Sequence, residues 1–91
     1  MSIDAEIVSR GPDPKISMLE ILRFFLLSTD PAFIVPEVSD EFDVTDATAR
    51  TRMDKMVEEG YLKKKKTGRR SVLYWPTDEG LRYYVSEASI E

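Results

Sequence analysis

Val38-Ser39-Asp40-Glu41-Phe42-Asp43-Val44-Thr45-Asp46-Ala47-Thr48-Ala49 decides the fold. Pro36 fixes a backbone angle suited to the first turn of a helix, so a short helix is expected from there to Phe42. Asp43-Val44-Thr45 then makes a tight turn, because Asp tolerates a left-handed backbone and Val44 can plug the bend with an apolar side chain. Thr45 is a good N-cap for a third helix that runs to Gly60, the expected left-handed terminator. Ala49, Met53, Met56 and Val57 recur at helical spacing and form its inward face. Its other side carries Asp46, Thr48, Arg50, Thr51, Asp54, Lys55 and Glu58.

Upstream, Gly11-Pro12-Asp13-Pro14 reads as a breaker followed by a helix start, with Asp13 as N-cap and Pro14 at the first helical position. Residues 1–12 are therefore an N-terminal arm, and residues 13–91 one domain. Residues 15–28 are apolar around most of the helix surface, as befits a central core helix. Asp30-Pro31 ends that helix, and residues 32–35 read as a short strand. Downstream, residues 61–66 and 70–75 are strand-like runs joined by Thr67-Gly68-Arg69, a hairpin connection. Pro76 breaks the second run, Thr77 caps a last helix, and Leu81, Tyr84, Val85 and Ala88 repeat at helical spacing.

Composition narrows the chemistry. The 91 residues include no Cys and no His, which rules out disulfides, the usual transition-metal ligands and Ser-His or Cys-His nucleophilic catalysis. No pair of carboxylates is placed for general acid-base work, so an enzyme is not expected, nor a metal or cofactor. The first ten residues lack a basic region followed by an apolar run, and the longest apolar stretch is far too short for a bilayer, so a cytoplasmic protein is expected. The net charge of −4 hides an uneven distribution. Residues 1–44 carry 3 basic and 9 acidic side chains, whereas residues 61–76 carry 6 basic and none acidic. The basic island coincides with the hairpin.

Two spaced motifs carry a resemblance. Met-Asp-Lys-Met-Val-Glu-Glu-Gly-Tyr-Leu (residues 53–62) and Leu-Tyr-Trp-Pro-Thr-Asp-Glu-Gly-Leu (residues 73–81) resemble winged helix-turn-helix regulators of the multiple-antibiotic-resistance (MarR) and related types. In those families an apolar residue, two polar residues and Gly close the recognition helix, and Thr-x-x-Gly opens the helix after the wing. The resemblance covers residues 16–85. It implies an α+β, mainly α fold: a winged helix-turn-helix with a three-helix core, a small β-hairpin wing and a C-terminal helix. Here Asp43 stands where such families often have Gly, and the flanking helices that build MarR-type dimers are short.

The resemblance implies a sequence-specific regulator that binds double-stranded DNA, with residues 45–59 in the major groove and the basic wing, residues 63–70, on the backbone. Thr48, Arg50, Thr51 and Lys55 match positions that reach bases and flanking phosphates, and Arg52, one residue off that face, would touch a phosphate. Lys63, Lys64, Lys65, Lys66, Arg69 and Arg70 would lie along the backbone or push an Arg into a minor groove. With no Asn or Gln in the chain, the bidentate adenine contact is lost, so readout leans on guanine and thymine. A homodimer through the C-terminal helix and the N-terminal arm is expected, with no effector indicated.

Rival readings stand beside these. The basic run could be a solvated hairpin surface, and Arg50 could pair with Asp46 or Asp54 one turn away. Tyr74, Trp75, Tyr83 and Tyr84 read as core or dimer packing before any ligand pocket. The alternative function is a protein-protein interaction adaptor that does not bind DNA; RNA or single-strand binding would need an open stacking sheet.

Overall fold

A computed structural model describes residues 16–69 and 71–88. The expected arm, Asp13 and Pro14 lie outside them. The described chain is a small α+β, mainly helical domain: α1 (Met18–Leu27), β1 (Phe33–Ile34), α2 (Val35–Phe42), α3 (Asp46–Glu58), β2 (Leu62–Thr67), β3 (Ser71–Pro76) and α4 (Asp78–Ala88). The strands form one antiparallel sheet in the order β1-β3-β2.

Several boundaries correct the sequence reading. The first helix starts at Met18 rather than at Pro14, because the Ser17 side chain accepts a hydrogen bond from the Glu20 amide and caps it there. The hairpin strands begin one residue later than expected. Tyr61 is held by its amide bond to the Met56 carbonyl, so β2 starts at Leu62, and Thr67 pairs with Ser71 across the turn. Pro76 is the last residue of β3, in register with Leu62, and the strand stops after it rather than before.

Every helix contributes to a single core or packs on it. Ile16, Ile21, Leu22, Phe25, Phe33, Val35, Val38, Ala49, Met53, Met56, Leu62 and Tyr74 are buried. Each large aliphatic side chain among them stabilises the fold by about 1.5–3 kcal/mol. A run of phenylalanines ties the first three elements together. Phe24 packs on Phe33 with ring centroids 4.7 Å apart and meets Phe42 edge-on at 5.8 Å. Leu81 and Val85 of α4 remain exposed, while Tyr84 is half-buried against the core.

The turn between α2 and α3 is built as its residues dictate. Asp43 adopts the left-handed conformation at φ 56° and ψ 49°. The Val44 amide donates to the Ser39 carbonyl, and the buried Ser39 hydroxyl donates to the Asp46 carboxylate at the start of α3. This last bond fastens one helix to the next across the turn.

The two motifs at residues 57–60 and 77–80 meet in space. The Thr77 hydroxyl donates to the Gly60 carbonyl at 2.6 Å and accepts from the Gly80 amide at 2.9 Å. The Thr77 amide donates to the Tyr61 carbonyl at 3.0 Å. Gly80 is packed so closely that a Cβ there would stand 2.3 Å from the Tyr61 carbonyl oxygen. Thr-x-x-Gly is therefore a seam: one hydroxyl joins the end of α3 to the start of α4, and a bare Cα lets the backbones touch.

Candidate nucleic-acid interface

The third helix presents its polar side to solvent because Ala49, Met53 and Met56 take the inward face completely. Thr45 caps it, its side-chain oxygen accepting from the Thr48 amide at 3.1 Å. The Thr45 hydroxyl donates to that of Thr48 at 3.0 Å, which leaves the Thr48 hydroxyl proton free to donate outward. Thr51 and Lys55 are exposed, and Lys55 lies 3.7 Å from Glu59 in an i,i+4 ion pair.

Arg50 and Arg52 do not share a surface. Two positions apart on a helix means about 200° of rotation, and the two guanidinium groups diverge accordingly. Arg50 is exposed beside Asp46, Pro36 and Ser71, on the flank that faces the hairpin. Arg52 is half-buried on the opposite flank, against Ser17, Leu19 and Tyr83. Among the described residues Arg50 forms no ion pair with Asp46 or Asp54.

The hairpin places its cations by alternation. Lys64 is in register with buried Tyr74 and Lys66 with Val72, so both point to the side of the sheet that faces the core. Lys63 and Lys65 are in register with Trp75 and Leu73 and point the other way. All four lysines are exposed, as is Arg69 in the turn, where Gly68 takes φ 69°. Arg70 lies outside the described residues.

Lys64 is not a free cation. Its Nζ lies 3.0 Å from Asp54 Oδ1 on α3 and 6.0 Å from the centre of the Tyr74 ring. The Tyr74 hydroxyl donates to the same Asp54 oxygen at 2.7 Å. Burial pushes the Asp54 carboxyl upward, but the bonds from Tyr74 and Lys64 and the charges of Lys64 and Arg50 outweigh it, so Asp54 titrates below the ordinary carboxylate value. The Tyr74 phenol moves well above its ordinary value, through burial first and then through donation to the Asp54 carboxylate.

The sequence reading missed this clamp. Asp54 was one polar residue among seven on α3, and Tyr74 read as core packing. Period-two alternation does put Tyr74 and Lys64 on one face once the register is known. Nothing in the sequence joins them to Asp54, which is 20 residues from Tyr74. The aromatic group also divides: Tyr74 is buried, Tyr83 stacks on Tyr61 with centroids 4.3 Å apart and planes 10° from parallel, and Trp75 lies half-buried on the far side of the sheet.

The exposed cations divide between two faces: Arg50 and Lys55 stand on α3 with its threonine hydroxyls and Lys66 on the core-facing side of the hairpin, Lys63 and Lys65 lie on the hairpin's other side, and Arg69 sits in its turn. Cations so placed can hold polyanions by charge and donate hydrogen bonds to them. Among the described residues no helix is long and apolar enough to cross a membrane, and no group of acidic side chains could hold a metal ion. Compared with known proteins, the chain matches no family model and no curated protein.

Proposed function

We propose that this chain is a winged helix-turn-helix regulator of MarR-like type that binds double-stranded DNA sequence-specifically, with α3 in the major groove and the β2-β3 hairpin as the wing on the backbone. The observation that carries the reading is the clamp of Lys64 and Tyr74 on Asp54, which holds an all-basic hairpin beside the polar face of α3. The element order, the left-handed turn at Asp43 and the Thr77-Gly80 seam support the same reading. Binding, not catalysis, is the proposed activity, in the cytoplasm, and the exposed Leu81 and Val85 support a homodimer through α4 and the N-terminal arm.

Residue roles follow from placement. Thr51 and Arg50 reach base edges; Thr48, Lys55, Lys63, Lys65, Lys66 and Arg69 meet phosphates. Lys64 instead fixes the wing, and Arg52, half-buried one turn from Thr48 and Lys55, touches a flanking phosphate.

Fluorescence anisotropy of a labelled mixed-sequence duplex across a salt series tests this. The wild type is expected to bind with a steep salt slope, and the Arg50→Ala, Lys63→Glu, Lys65→Glu variant to lose about 2 units of that slope or all binding. A wild type that ignores the duplex even at low salt would sink the proposal.

A second reading, a winged helix serving as a protein-interaction adaptor, is favoured by one observation. Residues 24–49 carry six acidic side chains and no basic one. A basic protein suits that surface better than a phosphate backbone does.

A further inference from the structure

We propose that the groove between α1 and the end of α2 is a docking site for a basic amphipathic helix of a partner protein; this gives the adaptor reading a site and needs nothing from the DNA reading. The groove has a volume of about 450 Å³ and is lined by Glu20, Arg23, Phe24, Leu27, Glu41 and Phe42.

Phe24, Leu27 and Phe42 give the groove an apolar strip among polar walls, and no other described residue lines it besides Ser28. Phe24 and Phe42 pack edge-on at 5.8 Å and leave ring surface toward the groove. Leu27 beside them is 66% exposed, more than Leu81 or Val85. A leucine on the last turn of a core helix contributes nothing to the core from there. It does give a visiting helix an apolar anchor, and anchors at i, i+3 or i+4 and i+7 are how helices lie in grooves.

Its rim selects the charge of the visitor. Glu20 stands on the α1 side and Glu41 on the α2 side, and Glu37 and Asp40 continue the exposed acidic surface along α2. Arg23 is the single cation of the lining, and no other follows it before Arg50. A lysine- or arginine-rich helix meets attraction on both rims, while nucleic acid and acidic peptides meet repulsion. The basic hairpin of a second copy does not fit, because its tip, Lys66-Thr67-Gly68-Arg69, has no apolar side chain to enter the groove.

The test uses the full chain and two synthetic 14-residue helical peptides with Leu at every third or fourth position, one with Lys and one with Glu elsewhere. Titration followed by amide chemical shifts is expected to give saturable binding of the Lys peptide, with shifts centred on Phe24, Leu27, Glu41 and Phe42. Leu27→Ser is expected to weaken it about tenfold by removing the anchor. Glu20→Lys with Glu41→Lys is expected to abolish Lys-peptide binding and admit the Glu peptide. Three results would overturn the proposal: a Lys peptide that does not saturate, shifts centred on the hairpin or α4, or equal affinity in the charge-reversed variant. Concentration-dependent self-association that covers the same residues would replace the partner protein with a second copy and overturn it as well. Duplex anisotropy on Leu27→Ser, expected to equal the wild type, keeps failure here separate from failure of the DNA reading.

Discussion

Two regions of one small domain carry opposite charge for different structural reasons. From residue 24 to 49, six acidic side chains and no basic one decorate the helices and turns that supply much of the core. The hairpin, residues 62–76, carries only basic charges and contributes to the core mainly through Leu62 and Tyr74. The acidic region is held mainly by buried phenylalanine and valine, so the charges of Asp40 and Glu41 can be changed at small cost in stability, whereas Asp46 accepts from Ser39 and Glu37 from the Ile34 amide. The basic region is held at its base by hydrogen bonds, so few substitutions there are neutral. The difference teaches where function and stability can be separated: at Asp40 and Glu41 on α2, and on the hairpin at Lys63, Lys65, Lys66 and Arg69.

The largest expected effect breaks the comparison at its joint. Gly80→Ala must displace the Tyr61 backbone and is expected to cost about 3 kcal/mol or more. Urea unfolding measures it; a change under about 1 kcal/mol would mean that the seam is looser than the geometry says. Next comes Met53→Ala, which opens a cavity beneath both regions at about 2–5 kcal/mol. A smaller loss would show that α3 can collapse onto its neighbours.

Tyr74→Phe sharpens the comparison. It removes one hydrogen bond from Asp54 and is expected to cost about 1 kcal/mol at neutral pH. The pH dependence has a definite sign. Asp54 is lowered in the folded state, so its contribution is present above the ordinary carboxylate value and is lost as pH falls through its lowered value. In Tyr74→Phe that acid-side loss shrinks. Tyr74 is raised and works in the opposite direction, its contribution fading as pH climbs past the ordinary phenol value. Equal acid-side profiles for variant and wild type would remove the clamp from the account.

Smaller effects follow. Thr45→Ala takes the cap from α3 at about 1 kcal/mol, readable as lowered thermal stability. Lys55→Ala loses only an exposed i,i+4 pair, a few tenths of a kcal/mol at most in stability, while the salt slope of duplex binding is expected to fall by about 1.

Much of the fold was legible because its signals are local. Thr45 and Thr77 each cap a helix through an amide three residues on, and Gly60 ends α3 by its own positive φ. The basic hairpin announces itself by alternation and a glycine, whereas the bond from Thr77 to Gly60 is tertiary. Ser17 was equally local, three residues before Glu20, and was overlooked because the apolar pattern runs on past it to Ile16. The candidate site was less legible. Arg50 and Arg52 look like neighbours in a string, and only helical rotation separates them. The bonds from Ser39 to Asp46, Lys64 to Asp54 and Tyr74 to Asp54 depend on tertiary approach, which no short window of sequence contains.

The seam at Thr77 has one more consequence. By joining Gly60 and Tyr61 to residue 77, it brings both ends of the intervening segment within hydrogen-bond reach of each other. The closure entropy of that segment is therefore met at its root, not at its tip. The tip of the hairpin is the exchangeable part: a longer, shorter or differently charged turn can be spliced in at Gly68 while Leu62, Lys64 and Tyr74 keep the root in place and the helices beneath keep their shape.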